Sequence, residues 1–306
     1  MHDFRFGITA SVAPDAAEWA ALARRTEALG YATLVMPDHL TDQLSPMPAL
    51  AAAAAATTSL HLGTFVLAND YRHPLLMARE AATLQFLSGG RFELGLGAGW
   101  MRSDYRQLGM PYDRPGIRVD RLEETLAITR RLLAGEAVTH AGPYYPLAGA
   151  RLAPPPARTP PIMVGGGGPR VLRLAAREAQ IVGLLAQFDR HGRPMLQQGT
   201  EAATARKVEI LRRAAGSRFE ALELNVLVVD AALAGGERGL GRSAVALLKE
   251  AGSGLVGGSP YVLYGSVAHL REALLRRRER LGISYYIWSA RHVQTMAPLV
   301  EALAGR

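Results

Sequence analysis

The chain has 306 residues, 49% of them apolar, which is enough to bury one large core or two smaller ones. It contains no cysteine, and this excludes a disulfide framework and thiolate chemistry. The formal net charge of +8 invites a nucleic-acid partner, but the arginines are scattered through predicted helices and the densest run, Arg276-Arg277-Arg278, falls on a predicted surface helix, where it reads as a solvated face.

The amino terminus, MHDFRFGITA, lacks a basic segment followed by a long apolar one, and the alanine-rich run 49–56 is too short to span a bilayer. A soluble cytoplasmic protein with no membrane partner is therefore expected. Along the chain, strands and helices alternate. A strand at 4–9 leads to a helix at 15–29, stopped by Gly30. A strand at 32–36 ends in Pro37-Asp38-His39 and is followed by a helix at 47–58. The apolar run 62–67 is the third strand; Pro74 opens a helix to residue 87, and Ser88-Gly89-Gly90 ends it. The fourth strand, 92–96, breaks into Gly97-Ala98-Gly99-Trp100. The helix at 119–133 is acidic at its start and basic at its end, the polarity that a helix dipole favours.

Residues 135–160, rich in Gly, Pro and Tyr, read as an inserted hairpin or loop. A fifth strand, 162–165, runs into Gly166-Gly167-Gly168-Pro169 and a helix to 179. Strand 181–185, helix 201–214 and strand 222–229 follow. A second insertion at about 230–265 holds one helix near 242–251; helix 266–281, strand 283–288 and helix 293–304 complete the chain. Such apolar strands suit burial on both faces, as in a parallel sheet. Eight of them with helices between predict an α/β protein, a single (β/α)8 TIM barrel over 1–306, and the lack of a dividing linker favours this over an open doubly wound sheet.

Ligands of parallel α/β folds bind at the carboxyl ends of the strands. Those positions hold Ser11, Asp38-His39, Asn69-Asp70-Tyr71-Arg72, Gly97 to Trp100, Gly165 to Gly168, Gln187 and Trp288 to Arg291. The eight histidines show no metal-ligand spacing, so no metal is expected. Both lysines, Lys207 and Lys249, fall on predicted helices, which argues against Schiff-base chemistry. His39 at a strand end suits proton donation, or else Asp38 caps the next turn and His39 is a packed polar residue. Gly166, Gly167 and Gly168 before a helix suit a phosphate, or else form a turn without a ligand. Tyr71, Trp100 and Tyr105, with Trp288, are candidates to wall a planar ligand or substrate, or else they pack the rim.

Several segments together resemble the luciferase-like monooxygenase superfamily, in particular its coenzyme F420-dependent branch: PDHL (37–40), GTFVLANDYRHP (63–74), LSGGRFELGLGAGW (87–100), RVDRLEETLAITRRLLAGE (118–136) and PPIMVGGGGPRVLRLAA (160–176). The resemblance implies a TIM barrel that binds reduced F420, or alternatively FMN, across the carboxyl ends of its strands. It implies that Asp38 and His39 lie beside the ring as catalytic residues, with His39 the proton donor oriented by Asp38 or by backbone. It puts a non-proline cis peptide at Phe65-Val66 behind the ring, Asn69, Gly97 and Gly99 close to the cofactor, and its phosphate on Gly166, Gly167 and Gly168. A homodimer, a small-molecule substrate and a separate reductase supplying reduced cofactor follow from the same resemblance. Sugar-phosphate dehydrogenases of this branch carry glutamates on strand 1 and after strand 4, where this chain has Ile8-Thr9-Ala10-Ser11 and Gly99-Trp100-Met101. A bulkier, less charged substrate is expected. The rival readings are an FMN-dependent monooxygenase on the same scaffold, a non-catalytic flavin-binding protein and a phosphosugar isomerase.

Overall fold

A computed structural model describes residues 1–185, 196–233 and 258–306. The predicted helix near 242–251 and Gln187 lie outside the described residues. Thirteen strands occur among the described residues: β1 (Arg5–Thr9), β2 (Thr33–Met36), β3 (His61–Thr64), β4 (Leu67–Ala68), β5 (Phe92–Gly97), β6 (Val138–His140), β7 (Leu147–Ala150), β8 (Ile162–Gly166), β9 (Ile181–Leu184), β10 (Glu223–Val228), β11 (Asp230–Leu233), β12 (Val262–Gly265) and β13 (Ile283–Ser289). The helices are α1 (Ala16–Ala28), α2 (Pro46–Ala55), α3 (Pro74–Leu87), α4 (Arg102–Gln107), α5 (Pro115–Leu133), α6 (Pro169–Glu178), α7 (Glu201–Ala215), α8 (Val267–Leu281) and α9 (Ala297–Leu303).

Eight strands close a parallel barrel in the order β3-β2-β1-β13-β10-β9-β8-β5, with β5 pairing back onto β3. The TIM barrel read from the alternation is therefore the observed architecture. Alternate side chains of each strand face opposite ways. In β13, Tyr285 and Ile287 join Val35, Phe65, Met163 and Ile181 in the small interior cluster. Tyr286 and Trp288 instead join the larger cluster between barrel and helices. Most apolar burial lies in that outer layer, where Leu122, Leu126 and Leu172 are at most 1% exposed.

The insertion at 135–160 is a hairpin of β6 and β7. Its turn is tied to α5 by the buried carboxylate of Glu124, which accepts from the backbone amides of Tyr144 and, at 2.8 Å, Tyr145. A parallel pair, β11 with β12, was not anticipated. The third strand differs from expectation: it stops at Thr64 and resumes at Leu67, interrupted by the cis peptide Phe65-Val66. The final helix is shorter than expected, a 3-10 turn at Ala290–His292 followed by Ala297–Leu303. Among the described residues no helix is long and apolar enough to cross a membrane.

Candidate active site

The carboxyl rim of the barrel begins where Pro37 ends β2 and leaves Asp38 and His39 in the following loop. Asp38 is 5% exposed and is consumed by structure. It accepts from the Ala68 amide at 3.0 Å and from the Arg72 guanidinium at 2.5 and 3.2 Å. This two-pronged pair fastens the end of β2 to the turn after β4. His39 takes a different partner: its Nδ1 lies 2.9 Å from Oδ2 of Asp104. The expectation that Asp38 or backbone orients His39 is corrected accordingly.

Asp104 sits on α4, six residues long, and is fully buried. The Tyr71 hydroxyl donates to the same carboxylate oxygen at 3.3 Å. Burial pushes the Tyr71 hydroxyl well above its ordinary value, and the charge of Asp104 adds to this, so Tyr71 stays a donor. Oδ1 of Asp104 has no partner among the described residues. The indole of Trp100 meets the His39 ring edge to face, with centroids 5.5 Å apart.

The turn between β5 and α4 that places Trp100 and Asp104 is itself clamped. Arg118 of α5, 5% exposed, donates to the carbonyls of Gly99 and, at 3.1 Å, Asp113. Its guanidinium lies 4.5 Å over the Tyr112 ring, and the Tyr112 hydroxyl donates to the Trp100 carbonyl at 2.8 Å. Below this, Asp70 accepts from Nε and Nη2 of Arg121 at 3.0 and 2.7 Å and from the Tyr105 hydroxyl at 2.9 Å. Gly99 is left-handed, with φ of 72°, and a Cβ there would lie 2.3 Å from the Tyr105 hydroxyl.

Two aromatic residues expected to wall a substrate are placed elsewhere. Tyr105 is fully buried, packed against Tyr71 and Tyr112 with centroids 5.4 and 5.0 Å away, and supports the site from beneath. Trp288 is also fully buried, on the helix-facing side of β13, where its indole N–H donates to the Tyr31 hydroxyl at 3.2 Å. Strand alternation decides this: Ile287 turns inward, so Trp288 turns out. Tyr71 and Trp100 do lie at the rim beside His39.

Glycines and Val66 shape the other side of the rim. Phe65-Val66 is cis, as the resemblance implied. A Cβ on Gly97 would lie 2.6 Å from Val66, and one on Gly165 would lie 3.0 Å from it, so β5 and β8 approach this residue only as glycine backbone. Gly166 closes β8, where a Cβ would meet Val171 at 2.5 Å. Gly168 differs. Its φ is −80°, open to any residue, and a Cβ there would meet nothing within 4 Å. It is the N-cap of the ten-residue α6, which opens with Pro169. Asn69, fully buried, keeps its Oδ1 without a partner among the described residues. No group of three or more His, Asp or Glu among the described residues is placed to hold a metal ion.

Barrel and rim together define a parallel α/β barrel that carries, at the carboxyl end of its strands, a histidine paired with a buried carboxylate and glycines packed against Val66. Residues 2–219 match the family model for luciferase-like monooxygenases, and the chain belongs to that family. An F420-dependent glucose-6-phosphate dehydrogenase of Microbacterium testaceum is 34% identical over 162 residues, covering 50% of this chain and 48% of the relative. The chain spans about half the length of the curated relatives it matches. Among solved structures, the coenzyme F420-dependent tetrahydromethanopterin reductase of Methanopyrus kandleri superposes with a TM-score of 0.76 at 17% identity, covering 98% of this chain and 99% of that one. A long-chain alkane monooxygenase gives a TM-score of 0.75 at 15% identity, covering 99% and 92%. Both likenesses are of fold.

Proposed function

We propose that this chain is an F420-dependent oxidoreductase that passes a hydride between the deazaflavin and a small organic substrate. The observation that carries this reading is the rim itself: His39, held by a buried carboxylate, shares one end of the barrel with positions that only glycine backbone could occupy and with a helix start whose capping Gly168 faces open space. The residues fit a planar, phosphate-bearing cofactor. Gly168 is a glycine that the fold does not require, at the start of a helix whose dipole favours an anion. Gly97 and Gly99, with Val66 and Phe65, would lie along the ring, Gly166, Gly167 and Gly168 would hold the phosphate, and the unpartnered Oδ1 of Asn69 would accept from a ring or ribityl donor. When bound, such a cofactor supplies the hydride, and the chain supplies binding, orientation and the proton.

The substrate side is apolar. Val12, Leu40 and Leu44, in the loops that follow β1 and β2 at this end of the barrel, are 55, 38 and 41% exposed. These loops are joined, since the Leu44 amide donates to the Ser11 carbonyl at 2.9 Å. An uncharged organic substrate suits this rim better than a sugar phosphate. The same apolar rim favours a second reading, FMN-dependent oxygenation, in which water must be kept from the reacting centre. Titration with F420 and with FMN, oxidised and reduced, followed by fluorescence, separates the two. Tight binding of F420 alone supports hydride transfer, and tight binding of FMN alone with oxygen consumption replaces it. Binding of neither overturns both and returns the question to a non-catalytic protein or an enzyme without a redox cofactor. A homodimer served by a separate reductase belongs to this reading, and light scattering with reconstituted turnover tests it.

A further inference from the structure

We propose that Asp104 is the positioning residue of this site: it holds the His39 imidazole in the tautomer protonated on Nδ1, so that Nε2 is the nitrogen that exchanges the substrate's proton. The geometry carries the first half without reference to any cofactor. An ionised carboxylate only accepts hydrogen bonds. With Oδ2 of Asp104 2.9 Å from Nδ1, the ring must donate there. Tyr71 supplies the second donor to that oxygen. Asp104 is fully buried, and His39 is its ion-pair partner among the described residues, so no arginine or lysine competes for the carboxylate. Asp38, the acid adjacent in sequence, is already bound by Arg72. Trp100 packs edge to face on the imidazole and opposes a ring flip. The His39 side chain keeps 23% of its surface exposed while Nδ1 is engaged, so the ring is accessible and Nε2 is its nitrogen that does not meet Asp104.

The second half rests on the oxidoreductase reading. For a hydroxyl-bearing substrate, Nε2 would take the hydroxyl proton as the C=O bond forms, the carbon-bound hydrogen leaving with its electron pair to the oxidised deazaflavin that the proposed function supplies. In the reverse direction Nε2–H would return the proton to oxygen while the hydride comes back from the reduced deazaflavin. The carboxylate missing from strand 1 and from Gly99-Trp100-Met101 thus enters the site from α4.

The test is nitrogen NMR of protein labelled with 15N in its histidine rings, at a pH where the rings are neutral, with the His39 signals assigned by their loss in His39→Gln. The expected wild-type pattern is Nδ1–H with a bare Nε2. Asp104→Ala should convert it mainly to the Nε2–H form while the other histidines keep their signals. A wild-type ring protonated on Nε2, or a tautomer unmoved by Asp104→Ala, overturns the proposal. Should Asp104→Ala fail to fold, the wild-type spectrum alone decides, and Asp104→Glu should retain the Nδ1–H form. In the activity arm, single turnovers with F420 and a panel of small alcohols should slow about 100-fold in Asp104→Ala with cofactor affinity within about twofold of wild type. Wild-type protein that turns over no alcohol defeats the alcohol step assigned to Nε2, while F420 binding tests the oxidoreductase reading separately and the tautomer result stands or falls by its own spectrum.

Discussion

At the amino-terminal end of the barrel, Arg5 of β1 lies between Glu93 of β5 and Glu223 of β10, donating to Glu93 and, at 2.7 Å, to Glu223. Its guanidinium stacks 4.5 Å over Tyr285, whose hydroxyl shares a 2.6 Å bond with Thr33. At the carboxyl end, Asp104 is as deeply buried but meets an imidazole, and one of its oxygens is left unpartnered. Both ends bury charge, yet the floor sets two carboxylates around one permanent cation and the rim sets one carboxylate against a group able to give up its proton. Burial pushes Glu223 up to about 7, and the neighbouring charge of Glu93 adds to that. Burial also pushes Glu93 up, but Arg5 and then His61 outweigh it and hold this carboxyl below its ordinary range. The floor therefore joins three strands around a permanent cation, whereas the rim pairs its buried carboxylate with an imidazole. Each end leaves one carboxylate oxygen without a partner among the described residues, Oε2 of Glu93 and Oδ1 of Asp104. A cavity of about 490 Å³ adjoins the floor, lined by His2, Arg5, Ser59, His61 and Glu223 among others, while the start of α6 lies at the rim.

Removing the shared cation is the strongest way to break this contrast. Arg5→Met leaves two buried carboxylates without a guanidinium and should cost about 3–5 kcal/mol in urea unfolding at pH 8. The loss should be smaller at pH 5, where the carboxyls can take up protons. Turnover per folded molecule should be unchanged, and a fall in turnover without a fall in stability would erase the distinction between the two ends. The rim should respond in the opposite sense. His39→Gln retains a donor toward Asp104, so stability should change by less than about 1 kcal/mol. Turnover should nevertheless fall about 100-fold or more, close to 3 kcal/mol in the barrier, with cofactor affinity nearly intact. Equal single-turnover rates for variant and wild type would remove His39 from the chemistry.

Glu223 sharpens the same comparison through pH. Its folded value of about 7 lies above the ordinary 4.5, so the folded protein holds this proton more tightly than the unfolded chain. The resulting stability is fully present below pH 4.5 and is lost as the pH rises through 7. Glu223→Gln should flatten that slope, by about 2 kcal/mol between pH 5 and pH 8 in denaturant midpoints. A wild-type protein that gains stability over this interval would show that Arg5 holds both carboxyls ionised.

Much of this was legible before any coordinates. Helix α3 was bounded correctly at both ends, because Pro74 at its first turn and Ser88-Gly89-Gly90 at its last are local signals. The eight barrel strands were legible because each is a short apolar run ending in a glycine or polar turn. What stayed hidden depends on direction or on distance along the chain. Helix α4 is six residues long, too short for a hydrophobic period to register, and so Asp104 went unnoticed 65 residues from His39. The Asp before Tyr105 was a visible signal, but only the folded rim reveals what it faces. Trp288 was legible as a strand-end aromatic, yet its side depended on strand parity: with Tyr285 inside, the third residue onward must point out.

The smallest effect separates glycines that the fold demands from one that it does not. An alanine at Gly97 would press on Val66 from 2.6 Å and should cost about 1–3 kcal/mol whether or not a ligand binds. At Gly168 the added methyl meets open space, and the backbone already has an ordinary φ. Gly168→Ala should therefore lower stability by at most about 1 kcal/mol, since alanine is a poorer N-cap than glycine and the less flexible unfolded chain offsets part of the loss. If the phosphate of the cofactor rests on the start of α6, the same methyl intrudes on it, and the dissociation constant for F420 should rise roughly fivefold, about 1 kcal/mol. Unchanged affinity together with unchanged stability would mean that neither the fold nor the cofactor needs a glycine there, and the anion site would have to be sought on the amides of Gly166 and Gly167 instead.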